Sequence, residues 1–291
     1  MTIGFIGIGV MGLSMARHLM QGGHALRVYT RTASKAAPLV QEGALQFGSV
    51  GECVRGCQAV ITIVGYPGDV EEVYTAPGGI LDSADKGALV IDMTTSSALL
   101  WQGIAKKARE RGLRPLDAPV SGGDVGARNA TLTIMVGGDE ADFLDAKPLF
   151  DLMGRTLSRM GGDGMGQHTK MANQIAIAGA LAGVAEAVAY GEGVGLDTQK
   201  MLTAISAGSA TSWQMTYNGP KKLRGDWAPG FYLTHFAKDL RLALEGSRQS
   251  GLHLRMLETV LSEYASLEEA GMGDLGTQAL IRHYRGEDAQ G

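Results

Sequence analysis

The feature that most constrains this chain is its opening dozen residues. Thr2–Ile6 is a short apolar run with strand character. It is followed at once by Gly7-Ile8-Gly9-Val10-Met11-Gly12, and then by an amphipathic stretch reaching Gln21. Three glycines in the pattern G-x-G-x-x-G, between a strand and a helix, leave few folds open. Gly7 permits a turn too tight for a side chain, Gly9 lets the backbone approach a pyrophosphate, and Gly12 lets the helix pack closely on the strand. The helix start, at Val10 and Met11, then presents backbone N–H groups and the positive end of its dipole to an anion. In this context the motif reads as a dinucleotide site. Elsewhere it would be only a glycine turn.

The rest of the first half repeats the same alternation. Thr2–Ile6, Leu26–Tyr29, Ala59–Val64, Leu89–Met93, Arg114–Leu116 and Leu132–Val136 read as strands. Met11–Gln21, Ala33–Glu42, Val70–Tyr74 and Ala98–Arg111 read as helices between them. Gly22-Gly23, Gly43 and Gly112 fall where helix C-caps belong. Repeated βαβ units predict a parallel sheet covered on both faces.

After Met160 the pattern changes. Gly161-Gly162-Asp163-Gly164-Met165-Gly166 forms a glycine-rich connector, and no convincing strand follows. Helices are expected at about 167–194, 198–207, 212–218, 234–250, 254–269 and 275–283. The fold class is therefore an α/β Rossmann-type dinucleotide-binding domain over 1–162, followed by an all-α domain over 163–291. The polar stretch 285–291 is expected to fray.

Composition excludes several function classes. With 26 basic against 30 acidic residues, the net charge of −4 argues against a nucleic-acid surface and against charge-driven membrane recruitment. Ile175–Ala185 is continuously apolar or glycine, but eleven residues are too few to cross a bilayer, and Glu186 interrupts the run. A buried helix of a soluble, cytoplasmic protein is the expectation, and no signal peptide is visible. Cys53 and Cys57 share a face if their segment is helical. No His or Cys pair lies nearby to complete a zinc site, so they read as reduced thiols and the site as metal-free.

The end of the second strand bears on the cofactor. NAD-binding proteins usually place an acidic residue there, about twenty residues beyond the glycine turn, to bind the ribose 2′-hydroxyl. Here the run is Val28-Tyr29-Thr30-Arg31-Thr32, with no acid. Arg31 can pair with a 2′-phosphate, and Thr30 or Thr32 can add hydroxyl contacts. NADP(H) is the preferred reading, with NAD(H) possible and Arg31 as a solvated surface charge the alternative.

Two later segments complete the pattern. Asp117-Ala118-Pro119-Val120-Ser121-Gly122-Gly123-Asp124 follows a strand, and Gly166-Gln167-His168-Thr169-Lys170-Met171-Ala172-Asn173-Gln174 opens the long helix. With the glycine turn, and with Lys238-Asp239-Leu240 further on, they resemble the β-hydroxyacid dehydrogenase family. That family includes 3-hydroxyisobutyrate dehydrogenases, tartronate semialdehyde reductases (2-hydroxy-3-oxopropionate reductases) and glyoxylate/succinic semialdehyde reductases. The resemblance covers nearly the whole chain. It implies that Lys170 is the catalytic group, that Asn173 orients substrate, and that Ser121-Gly122-Gly123 receives a substrate carboxylate. It also implies that loops at Val64 and Thr95 line the nicotinamide and ribose, that Lys238 closes over the nicotinamide end, and that the protein is a homodimer or homotetramer.

The chemistry of the residues agrees. Hydride transfer to a carbonyl leaves an oxyanion that needs a proton. An ammonium can stabilise that charge and donate the proton, and can act as base in reverse. A lysine beside an apolar helical run is costly unless used or paired. His168 is about 200° around the helix from Lys170 and receives no role. Gln174 in place of a second asparagine resembles the tartronate semialdehyde reductases and is carried as a substrate contact. Asp124 would repel an acidic substrate unless it points away. Lys222 or Arg224 can bind a second carboxylate, or can be plain surface charge. Two other readings stand beside the enzyme: a nucleotide-binding sensor or scaffold that has lost the chemistry, and an imine reductase on the same two-domain plan, which generally lacks a lysine at this place.

Overall fold

The computed structural model describes residues 1–287. The chain divides into two compact units, Met1–Lys170 and Met171 onward. The first is built on one sheet whose strands are β1 (Thr2–Ile6), β2 (Ala25–Tyr29), β3 (Leu45–Gln46), β4 (Ala59–Thr62), β5 (Leu89–Asp92), β6 (Arg114–Asp117), β7 (Val120–Ser121), β8 (Leu132–Gly138) and β9 (Gly154–Gly161). Their order is β3-β2-β1-β4-β5-β6-β8-β7, with β9 paired to β8.

From β3 to β6 every pairing is parallel. The central strands are apolar throughout because both faces are covered. Ile3, Phe5, Ile61 and Ile91 face one core, with Met15, Leu19 and Phe150. Ile6, Val60 and Val90 face the other, with Tyr74, Trp101 and Ile104. The period of two thus sends alternate side chains to opposite helix layers. Order reverses at β1, between β2 and β4, and open α/β sheets bind ligands at such a switch point.

The expectation of a wholly parallel sheet needs correction at one edge. β8 runs antiparallel to β6 and β7, because the chain returns through the short helix Gly123–Arg128 rather than a full crossover. The edge strand β9 was not expected, since its Arg155, Thr156, Ser158 and Arg159 carry no apolar alternation. Short helices Val50–Val54, Ile80–Ser83 and Gly123–Arg128 and the longer Glu140–Asp151 were also unforeseen. The last contains Pro148, an unfavourable residue in a helix interior. The helix ending at Val54 leaves Cys57 outside it. The Cys57 thiol donates to the Cys53 carbonyl at 3.3 Å, and burial pushes the Cys53 thiol up to about 12, so it is inert.

The second unit is helical. It holds most of the helix Met165–Gly193, then Thr198–Ser206, a π-turn Gln214–Asn218 running into Gly219–Arg224, Leu233–Gln249, Arg255–Glu269, and two short turns, Thr277–Leu280 and Ile281–Tyr284. Leu181, Val184, Ala185 and Val188 pack with Leu233, Phe236, Leu240, Tyr264 and Leu280. Helix Met165–Gly193 is long and apolar enough to span a bilayer, so the eleven-residue run understated its length; its core-facing side chains are those just named. The fraying expected of 285–291 does not include 285–287. Arg285 pairs with Glu192 at 2.6 Å and Glu287 with Arg282 at 2.8 Å, while 288–291 lie outside the described residues.

Candidate active site

The first unit gathers its site at the carboxyl ends of β1, β4, β5 and β6. The register Ile6–Thr62–Asp92–Asp117 sets four strand ends in one row. Gly7 leaves β1 with φ +100°, a conformation that side chains resist. A Cβ there would collide with the Ile63 carbonyl, and one on Gly12 would collide with the Gly7 carbonyl. At Gly9 nothing lies within 4 Å of such a Cβ. The cradle is therefore closed on the protein side and open on the ligand side. Helix Val10–Gln21 starts there with no side-chain cap and no acid in its first turn. These residues fit a dinucleotide pyrophosphate.

At the end of β2, a cavity of about 450 Å³ is lined by Tyr29, Thr30, Arg31, Gln46 and Phe47 among others. The Arg31 side chain is 72% exposed and pairs with Asp69 at 2.8 Å. Thr32, beside it, precedes the turn Ala33–Ala36 and makes no side-chain capping bond to it.

The loops after β4 and β5 are tied together. Val64 N–H donates to Thr94 Oγ1 at 3.0 Å, and Thr94 N–H to Asp92 Oδ1 at 3.2 Å. Thr62 donates to the same oxygen at 2.7 Å. Asp92 is wholly buried, and that burial holds its carboxyl up at about 7. Asp117, at the end of β6, is pushed to about 6 for the same reason. Its two oxygens accept from Gly164 N–H and Gln167 N–H, each at 2.8 Å, at the start of the long helix. Lys170 follows one turn on and is 6% exposed.

Ser121 lies at the end of β7, half-buried, and the turn continues through Gly122 (φ +129°) and Gly123 (φ +62°). Both backbone conformations are ones only glycine adopts readily. Asp124 is turned along its own helix, where Oδ2 pairs with Arg128 at 2.7 Å and Oδ1 accepts from Val125 N–H at 2.8 Å. Its charge is compensated there, which answers the concern that it would repel an acidic substrate.

In the helical unit Asn173, Gln174, Lys238 and Asp239 form one chain. Asn173 Nδ2 donates to Gln174 Oε1 at 2.8 Å, and Gln174 Nε2 donates to Asp239 Oδ2 at 2.7 Å. Lys238 Nζ lies 2.8 Å from Asp239 Oδ1. Gln174 is 1% exposed, its amide oxygen bonded to Asn173 and its nitrogen to Asp239. The reading of Lys222 is corrected. It is fully buried, its Nζ donates to Gln278 O at 3.1 Å, and burial pushes it down to about 7. It is neither surface charge nor a carboxylate receptor, whereas Arg224 is exposed. Asp92, Gln167 and the capping role of Asp117 were not foreseen. The only signal was an Asp closing each of two apolar strand runs, Leu89–Asp92 and Arg114–Asp117.

The chain is similar to known proteins along nearly its whole length. Residues 2–162 match the family model described as the NAD binding domain of 6-phosphogluconate dehydrogenase. Residues 164–284 match that described as NAD-binding of NADP-dependent 3-hydroxyisobutyrate dehydrogenase. An uncharacterized oxidoreductase of Bacillus subtilis (strain 168) is 47% identical, over 97% of this chain and 98% of that one. The 2-hydroxy-3-oxopropionate reductase of Escherichia coli (strain K12) is 35% identical, over 97% and 96%. A structure of Mycobacterium tuberculosis 3-hydroxyisobutyrate dehydrogenase with L-serine has a TM-score of 0.91 at 31% identity, over 98% of this chain and 99% of that one.

Proposed function

Because the chain belongs to the β-hydroxyacid dehydrogenase family, and is an NAD(P)-dependent oxidoreductase acting on a CH–OH group, we propose that it interconverts a small 3-hydroxy acid and its semialdehyde with Lys170 as acid and base. The hydride chemistry is the nicotinamide's. The Lys170 ammonium stabilises the oxyanion that forms at the reacting carbonyl and gives it a proton. In the oxidative direction the neutral amine takes the proton from the hydroxyl. Ser121 and the backbone of Gly122 and Gly123 hold the substrate carboxylate, and Asn173, fixed by Gln174, orients the substrate. Gly7, Gly9, Val10, Met11 and Gly12 would hold the pyrophosphate, Val64 and Thr95 would line the nicotinamide and ribose, and Lys238 would serve the nicotinamide end.

The observation that carries this reading is a buried lysine, 6% exposed, one turn into a helix whose start is held by the strand-end carboxylate of Asp117. A buried ammonium beside the carboxyl ends of the strands can meet a charge that develops on a reacting carbonyl. The substrate class rests on the names of two relatives, the 2-hydroxy-3-oxopropionate reductase and the 3-hydroxyisobutyrate dehydrogenase bound to L-serine. NADP(H) is favoured over NAD(H) because Arg31 and Thr32, rather than an acid, follow β2; a 2′-phosphate would compete with Asp69 for the guanidinium. Residues 1–162 bind the nucleotide, and 163–291 serve the substrate and the contact between copies. That contact uses the exposed small side of the long helix at Ala172, Ala176 and Gly183, giving a homodimer or homotetramer in the cytoplasm.

The test is consumption of NADPH and NADH, side by side, against glyoxylate, succinic semialdehyde, tartronate semialdehyde and methylmalonate semialdehyde. Turnover of at least one, faster with NADPH, is expected. Cofactor binding without turnover of any would reject the reading, and equal use of NADH would reject the role of Arg31.

A further inference from the structure

Gln167 joins three elements of the first unit, and none of the roles above uses it. Its side chain is wholly buried. Nε2 donates to the Thr94 carbonyl at 2.7 Å, and Oε1 accepts from Ser96 N–H at 2.9 Å. Its own backbone N–H donates to Asp117 Oδ2. The side chain therefore makes with Thr94 and Ser96 the two bonds a neighbouring strand would make, and Thr95 is the residue between them. Thr94 is held from the other side by Asp92 and by Val64 N–H. Lys170 stands one helical turn beyond Gln167.

An amide suits this place at every pH. It offers a donor and an acceptor side by side, whereas an ionised carboxylate accepts only and an apolar side chain does neither. Burying that amide is costly unless both ends are bonded, and both are.

We propose that Gln167 is a positioning residue for the reaction, locking the Thr94–Ser96 loop to the start of the long helix so that Thr95 and Lys170 keep a fixed separation. The inference rests on the assignment of Lys170 as acid and base and of Thr95 to the nicotinamide side. The ionisable groups beside this clamp include Asp92 and Asp117, the Asp163–Arg109 pair that acts on Asp117, and Lys170. Misplacement of reacting groups by an ångström costs about a hundredfold in rate, and a broken clamp acts at that scale.

The test is the pH profile of kcat for Gln167→Glu divided by that of the wild type, with Gln167→Ala and Lys170→Ala beside it. While protonated, the carboxyl introduced by Gln167→Glu keeps both bonds; once ionised, it loses the donor and sets a charge against the Thr94 carbonyl. The ratio is expected to be near one at the acid end and to fall roughly 10- to 100-fold at the alkaline end. KM and NADPH affinity, followed by cofactor fluorescence, should change much less. Gln167→Ala should lose a similar factor in kcat at every pH, and it decides the matter if Gln167→Glu does not fold. A flat ratio, a wild-type kcat in Gln167→Ala, or an effect confined to KM would overturn the role. Turnover retained by Lys170→Ala would instead remove the acid/base assignment, so the two failures are read in different variants.

Discussion

Each unit of this molecule buries charge, and the two do so to opposite ends. In the sheet unit Asp92 and Asp117 lie at adjacent strand ends and accept bonds from loops and from the start of a helix. In the helical unit Lys222 is as deeply buried, its ammonium donating to the backbone carbonyl of Gln278. Burial drives all three toward neutrality, the acids up to about 7 and about 6 and the lysine down to about 7. The carboxylates hold the loops and the helix start at the strand ends, so losing their acceptor oxygens should cost stability and, on the proposed function, activity. No comparable assembly depends on Lys222 among the contacts described, so its removal should relieve the protein.

The comparison can be broken in four places. The largest effect is expected at the glycine cradle. Gly12→Val sets a side chain against the Gly7 carbonyl and should abolish dinucleotide binding in a fluorescence titration; normal affinity would refute the close packing. Next, Asp117→Ala strips the acceptor from Gly164 N–H and Gln167 N–H and should lower unfolding free energy by about 3 kcal/mol in urea titrations, with loss of activity. Unchanged stability would show that the helix start holds itself.

Lys222→Met should act in the opposite direction, raising stability by about 1–4 kcal/mol at neutral pH. Its sign with pH follows from the depressed value. Between about 7 and the ordinary 10.5 the unfolded chain holds a proton that the folded protein has released, so stability rises with pH across that window. Lys222→Met should flatten that rise, and a steeper slope would contradict the burial. The smallest change is expected from Asp92→Asn. Its folded value lies above the ordinary 3.8, so the folded protein holds a proton the unfolded chain has lost, and stability falls as pH rises from about 4 to about 7. The amide keeps the acceptor for Thr62 and Thr94, so stability near pH 5 should stay within about 1 kcal/mol while the fall becomes shallower and ends near pH 6, where only Asp117 still contributes.

The two units also differed in how far they could be read beforehand. The parallel centre was legible because β1, β4 and β5 are short apolar runs separated by glycine-marked turns, and the glycine motif named the switch point. The long helices were legible from their periodicity. β9 was not, because an exposed edge strand gets its form from pairing with β8 rather than from its own side chains. Lys222 was misread because its burial depends on how Gly219–Arg224 packs against Thr277–Leu280, which no local pattern encodes. Gln174 was picked out by its place after Asn173, but its bond to Asp239, 65 residues away, no local pattern encodes. Gln167 was passed over for the same reason: its partners, Thr94 and Ser96, lie more than 70 residues before it.

The central claim is that Lys170 moves the proton. Its most direct test is single-turnover and steady-state oxidation of NADPH by Lys170→Ala, with whichever semialdehyde the wild type uses best. The expected result is unchanged NADPH affinity with kcat lower by about 10²–10⁴-fold. A rate near that of the wild type would contradict it.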